Sequence, residues 1–424
     1  MGSRKRLISN YLSLSSVQAV NYILPLITVP YLVRVLGPEK FGLIAFAQAF
    51  IGYFGILTDY GFNLSATREI SINRDNKERV SAIFSSVMLI KAVFMLINFF
   101  MLCLFVFSIN KFRTEWLLYL LTFGMILGGV LFPVWLFQGM ERMKQIAVLN
   151  ILAKTIFTIS IFVFVRSRND YVYVPLINSC GYVVVGIISL WLIIKKFGVK
   201  IRIPLFIDIK RQLKEGWHIF ISTIAISLYT ISNTFILGLF TNNTIVGYYS
   251  GGEKIVRAVQ GLMGPLSQTV YPHISKLASE SRETALVFIR KLVKMVGIPT
   301  FLISLALLIF APQISNIILG RQFKESIIVI QILSFFPFII GLSNIFGIQV
   351  MLNFGLKQVF SRILMSASLI NILSALILVT PLQHIGISIS VLITEIFVTS
   401  SMFIALQRNG LKIFQFKMHY GSIK

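Results

Sequence analysis

Apolar stretches of about twenty residues recur along this chain, separated only by short polar breaks. Roughly 20 mostly apolar residues are what a helix needs to cross a bilayer. Twelve such stretches lie near 7–33, 41–62, 80–108, 115–139, 146–165 and 171–194, then 216–240, 245–273, 286–311, 326–352, 358–380 and 384–406. Of the 424 residues 56% are apolar and 13% charged, about half the charged share of a soluble domain. The expected fold class is an all-α polytopic membrane protein with twelve transmembrane helices. A soluble enzyme, a disordered chain and a secreted disulfide scaffold are excluded. The two cysteines, Cys103 and Cys180, fall in apolar stretches and read as packing residues.

The longest connecting segment runs from Lys195 to about Glu215, carries seven Lys and Arg, and lies at the midpoint. It predicts an N-terminal six-helix lobe over 1–200 with a basic cytoplasmic linker to about 215. A C-terminal six-helix lobe over 216–408 and a cytoplasmic tail over 409–424 follow. With the N-terminus inside, the segments on that side hold 27 of the 39 Lys and Arg and the opposite loops hold 8. Cytoplasmic loops collect such residues, so both termini are expected in the cytoplasm. The same asymmetry accounts for most of the net charge of +24, and no nucleic-acid partner is expected.

The halves read as repeats. An offset of 205 carries Gly42 onto Gly247, each opening an even-numbered span. Gln48, Gly52, Gly55 and Asp59 share one face of the second span by helical spacing. In the eighth span Glu253, Arg257, Gln260 and Gly264 do the same, and Gln18, Asn21, Pro25 and Thr28 share a side of the first.

Motifs of soluble chemistry are missing. No phosphate-cradling Gly-rich loop precedes Lys-Ser or Lys-Thr. The four histidines are scattered without metal spacing, and no enzymatic activity, cofactor or metal is expected. Charge inside the membrane is the remaining signal, because an ionised side chain at the bilayer centre costs at least ~2.5 kcal/mol and needs a cavity or a partner. The cations are Lys91, Lys154, Lys254 and Arg257, and the acids are Asp59, Glu253 and Glu395. Lys91 lies too deep to snorkel easily, so a cavity or a carboxylate partner is expected for it. Lys154 sits only eight or nine residues beyond the cytoplasmic start of its span, and an interfacial, snorkelling role is expected there. Glu253 is spaced to pair with Arg257 along the helix. Glu395 reads either as a protonatable coupling site or as the partner of a buried lysine. Asp59 is expected to be solvated or capping.

Several stretches carry a resemblance. Ile27 to Phe50 (ITVPYLVRVLGPEKFGLIAFAQAF), Asp59 to Ser71 (DYGFNLSATREIS) and Pro133 to Met143 (PVWLFQGMERM) resemble the bacterial O-antigen translocases, polysaccharide-export flippases. That family lies within the superfamily that also holds multidrug and toxin extrusion antiporters. The resemblance implies two pseudo-symmetric six-helix lobes around a central cationic cavity in the bacterial inner membrane. The implied substrate is a polyprenyl-pyrophosphate-linked oligosaccharide, moved from the cytoplasmic to the periplasmic leaflet by alternating access. Polysaccharide assembly machinery would be a partner alongside membrane lipids, and a monomer is the simplest assembly.

On this reading the diphosphate would contact Arg257, Lys91 and Lys254, and the sugar would pass Gln18, Asn21, Gln48 and Gln260. Glu395 and Glu253 are the candidates for coupling to an ion gradient. The competing reading is a cation-coupled drug or metabolite antiporter of the same superfamily. An exported cation would prefer an acidic or aromatic cavity, which the excess of intramembrane Lys and Arg disfavours.

Overall fold

A computed structural model describes the backbone of residues 3–261, 264–411 and 413. Side chains are described throughout these except at 3–23, 25 and 26, and at scattered positions within 222–230 and 264–272. The described residues form helices and no strands. Hydrocarbon offers no water to backbone N–H and C=O groups, and a helix satisfies them internally.

The main helices are α1 (Ser3–Asp59), α2 (Phe62–Asn73), α3 (Lys77–Ser108), α4 (Trp116–Leu131), α5 (Val134–Gly139), α6 (Met143–Phe164) and α7 (Tyr173–Leu192). They continue with α8 (Phe206–Thr230), α9 (Ser232–Phe240), α10 (Asn243–Gly261), α11 (Gly264–Glu280), α12 (Arg282–Ile309), α13 (Ser326–Leu333), α14 (Phe336–Asn344) and α15 (Lys357–Arg408). Eight helical stretches among the described residues are long and apolar enough to cross a membrane. They cover nine of the expected spans, because α15 holds two. Those expected at 7–33, 216–240 and 245–273 are not among the eight, and each includes residues whose side chains lie outside the described ones. Their outer surfaces suit lipid: on α3, Phe100 and Leu104 are 70% and 67% exposed.

Two helices are too long to cross once. The 57 residues of α1 would extend roughly 85 Å and the 52 of α15 roughly 78 Å at 1.5 Å per residue. In α1 the break is Gly37, at φ 71° and ψ 174°, a conformation glycine adopts without steric penalty. Pro38 then starts the next segment with its φ already helical. In α15 the break is Gln383, at φ 47° and ψ −125°. Asn371 Nδ2 donates to Thr394 Oγ1 at 3.2 Å and Ser374 Oγ meets Ser390 Oγ at 2.6 Å. Such distant residues touch only if α15 doubles back at Gln383.

The chain forms two compact units, Met1–Gly251 with Ser315–Lys324, and Gly252–Ile314 with Glu325–Lys424. The break falls beyond the basic linker, which is tied into the first unit. Lys200 N and Arg202 N donate to Ser81 Oγ and Ser85 Oγ at 3.0 and 2.9 Å, and Arg211 pairs with Glu69 at 3.0 Å. The core of the first unit centres on Phe62, Val87, Trp135 and Phe137, and that of the second on Ile289, Phe346, Val350 and Leu406.

Within the first unit α1 and α10 touch backbone to backbone. A Cβ built on Gly42 would lie 1.9 Å from Asn243 O, and one on Gly247 would lie 2.0 Å from Pro38 O. The offset that carries Gly42 onto Gly247 also carries Pro38 onto Asn243. Each contact is therefore the image of the other, the pattern by which twofold-related segments meet.

Candidate functional site

The second segment of α1 reads Gln48, Gly52, Gly55, Asp59 at helical spacing, and the structure sets all four along one wall of a cavity in the first unit. Its volume is about 940 Å³, at the upper end of small-molecule sites. Facing them are Thr122, Ile126 and Gly129 of α4, Gln138 of α5, Asn150 of α6 and Asn178 and Tyr182 of α7. Lys91 of α3, Asn63 of α2 and Thr223 of α8 complete the polar lining. Amides and hydroxyls on apolar walls can donate to and accept from a polar ligand. Glycine makes the space: a Cβ on Gly55 or on Gly129 would meet nothing within 4 Å.

Lys91 is 5% exposed and its Nζ lies 2.9 Å from Asp59 Oδ1. Both alternatives open to Lys91 in the sequence are thus realised, since it lines the cavity and has a carboxylate partner. Asp59 also accepts from Asn63 Nδ2 at 2.8 Å, so this last residue of α1, with its side chain 26% exposed, combines a partly solvated helix end with an ion pair. Behind it, Asn98 Nδ2 donates to Thr58 Oγ1 at 2.8 Å and to Phe54 O at 3.2 Å. Removing one partner of a fully buried pair costs about 3–5 kcal/mol; with Asp59 bordering the cavity, Lys91→Met is expected to lose about 1–2 kcal/mol. Thermal unfolding in detergent checks this. The double variant Lys91→Met, Asp59→Asn should recover most of the loss, and a double variant less stable than the single would contradict the pairing.

Lys154, for which the sequence suggested a snorkelling role, is half-buried on α6. It lines a second, smaller cavity of the first unit, bordered by Asn150, Asn178 and Tyr182 as well. The helix face decides this: Lys154 lies one turn from Asn150, on the side of α6 turned toward α7.

In the second unit Arg257 Nε donates to Glu253 Oε1 at 2.8 Å, and the guanidinium lies 5.7 Å from the Phe336 ring centre. Lys254 and Gln260 are half-buried on the same helix, and Glu395 is buried at 4% exposure. Lys91 and Arg257 belong to different units. The side chains of Gln18 and Asn21 lie outside the described residues. Among the described residues no cluster of His, Cys, Asp and Glu could hold a metal ion.

Asn150, Asn178 and Tyr182, which border both cavities, were not singled out from the sequence. The signal was there: Asn150 and Asn178 are amides within the otherwise apolar stretches 146–165 and 171–194, where an unsatisfied polar group is costly.

The profile of a family described as polysaccharide biosynthesis protein matches residues 7–278. A protein of Escherichia coli strain K12 named as an O-antigen transporter is 36% identical over 95% of this chain and 97% of its own length. A Shigella dysenteriae protein of the same name is 29% identical over 94% and 99%. Among solved structures, the inward closed conformation of the lipid II flippase MurJ superposes with a TM-score of 0.70 at 14% identity, covering 96% of this chain and 90% of that one. The inward-facing conformation of a multidrug resistance transporter of the MATE family, in the MOP superfamily, gives 0.69 at 14% identity over 92% and 94%. At that identity the likeness is one of fold.

Proposed function

Because the chain belongs to the polysaccharide biosynthesis protein family, we propose that it is a flippase for a lipid-linked oligosaccharide. The unit transferred is an O-antigen or capsule repeat on a polyprenyl pyrophosphate, moved from the cytoplasmic to the periplasmic leaflet. The observation that carries this reading is the cavity of the first unit, a chamber of about 940 Å³ that sets amides, hydroxyls and the Lys91–Asp59 pair on apolar walls, inside a bundle whose outer face suits lipid. Its amides and hydroxyls suit the sugar, and intramembrane cations suit the diphosphate.

We take the full architecture as twelve transmembrane helices in two pseudo-symmetric six-helix lobes, over 1–200 and 216–408, with both termini cytoplasmic at the inner membrane. Rocking of the lobes gives alternating access. Arg257, Lys91 and Lys254 contact the diphosphate in this scheme, while Gln48 and Gln260, with Gln18 and Asn21, lie along the sugar's path. The ion pairs Lys91–Asp59 and Arg257–Glu253 hold two of these cations neutralised until phosphate displaces the carboxylate. Glu253 and Glu395 are the sites we assign to ion coupling.

Deletion of the gene tests the function, with lipid-linked oligosaccharide and surface polysaccharide measured together. The expected result is completed units trapped on the cytoplasmic leaflet and loss of surface polymer. Normal polymer with lowered resistance to toxic cations would overturn the reading in favour of an antiporter. In the same strain, transport that persists in a Glu253→Gln, Glu395→Gln protein after the ion gradients collapse would remove the coupling role.

A further inference from the structure

The smaller cavity of the first unit has a volume of about 170 Å³, and Thr28, Asn150, Lys154, Thr158, Asn178 and Tyr182 supply its polar lining. Among the described residues no acidic one borders it. Lys154 Nζ makes no hydrogen bond or ion pair with any described residue. Thr158 Oγ1 is buried without a partner. Among the described residues Asn178 Nδ2 reaches only Met125 Sδ, at 3.5 Å, and a thioether is a weak acceptor. An ammonium, a hydroxyl and an amide thus converge on one space with their donor capacity unspent.

Proteins rarely leave a cation unpaired inside a membrane, because its desolvation is uncompensated. The other intramembrane lysine of this unit, Lys91, is neutralised by Asp59. The charge that Lys154 lacks is therefore one that a ligand would bring. At ~30 Å³ per water the space admits one phosphate or carboxylate with a little water, and excludes an oligosaccharide. Asn150, Asn178 and Tyr182 line both cavities, so an acidic group seated here stays attached to sugar in the larger chamber.

We propose that Lys154, with Thr158, Asn178 and Tyr182, is an anion seat that binds one acidic group of the transported molecule while the larger cavity holds its sugars. This assignment rests on the flippase reading. The acidic group is either the carrier's diphosphate or the carboxylate of an acidic sugar, and both call for the same donors.

Binding to the purified full chain in detergent tests it, by calorimetry with farnesyl diphosphate and with D-glucuronate as probes. Lys154→Gln should weaken binding about tenfold or more, the loss expected of one charge-assisted contact. Lys154→Arg should keep affinity within about threefold, since the charge and donors remain. A defect confined to farnesyl diphosphate would assign the seat to the carrier, and one confined to glucuronate to an acidic sugar. Thermal unfolding supplies an independent readout. Lys154→Met should melt no lower than wild type, because it removes an unpaired cation, whereas a structural lysine would leave a less stable protein. Equal affinity of wild type and Lys154→Gln for both probes, or a lower melting temperature for Lys154→Met, overturns the assignment. Surface polymer that survives gene deletion would defeat the flippase reading instead, so the two failures are distinguishable.

Discussion

Gly247→Val should yield little folded protein, and Gly42→Ala a protein that melts well below wild type. The Cβ of either would sit about 2 Å from a backbone carbonyl, Asn243 O for Gly42 and Pro38 O for Gly247. No flexible side chain can give way at these places, so α1 and α10 must separate. Overpacking a tight core costs ~1–3 kcal/mol, and a backbone-to-backbone contact belongs at or above the top of that range. Thermal unfolding and the monodisperse fraction in detergent measure the effect. Wild-type stability for Gly42→Ala would show that the two helices do not touch as described. The contact also sits where the two halves are equated in sequence, so Gly42→Ala should depress export even where some protein folds.

Gly55→Trp and Gly129→Trp should do the reverse, leaving the fold intact and stopping transport. Both glycines line the large cavity, and a Cβ at either meets nothing within 4 Å. An indole there grows into the chamber rather than into a neighbouring helix. Replacing a mid-helix glycine by alanine gains up to ~1 kcal/mol in propensity, so Gly55→Ala should be active and slightly more stable. In a deletion strain carrying each variant, we expect surface polymer about tenfold lower or less for Gly55→Trp and near wild type for Gly55→Ala. Polymer at wild-type level with Gly55→Trp would place the sugar's route elsewhere.

Most of the helical framework could be read from the sequence because hydrocarbon imposes a length on every span. The breaks were also legible: the expected spans stop at 33 and resume at 41 around Gly37-Pro38, and stop at 380 and resume at 384 around Pro381 and Gln383. Periodicity gathered Gln48, Gly52, Gly55 and Asp59 onto one face, and that face lines the chamber. Pairings across helices were another matter. Lys91 meets Asp59 from 32 residues away, and no local pattern selects that acid over another. The cavity beside Lys154 was hidden for a related reason. Depth along a span follows from counting residues, but whether a face meets lipid or a neighbouring helix depends on how α6 packs on α7. A uniform search of spans for amides as well as charges would have found Asn150 and Asn178.

Transfer of the lipid-linked oligosaccharide across a bilayer by the purified protein tests the central claim most directly. The substrate, extracted from the deletion strain, would be reconstituted with the full chain in sealed proteoliposomes and probed with an external glycosidase. In protein-free vesicles only the outer-leaflet fraction should be cleaved. Wild-type protein should bring the inner-leaflet fraction rapidly within reach, and Gly55→Trp, equally folded, should leave it protected. Cleavage with wild type that stops at the protein-free level would contradict the account.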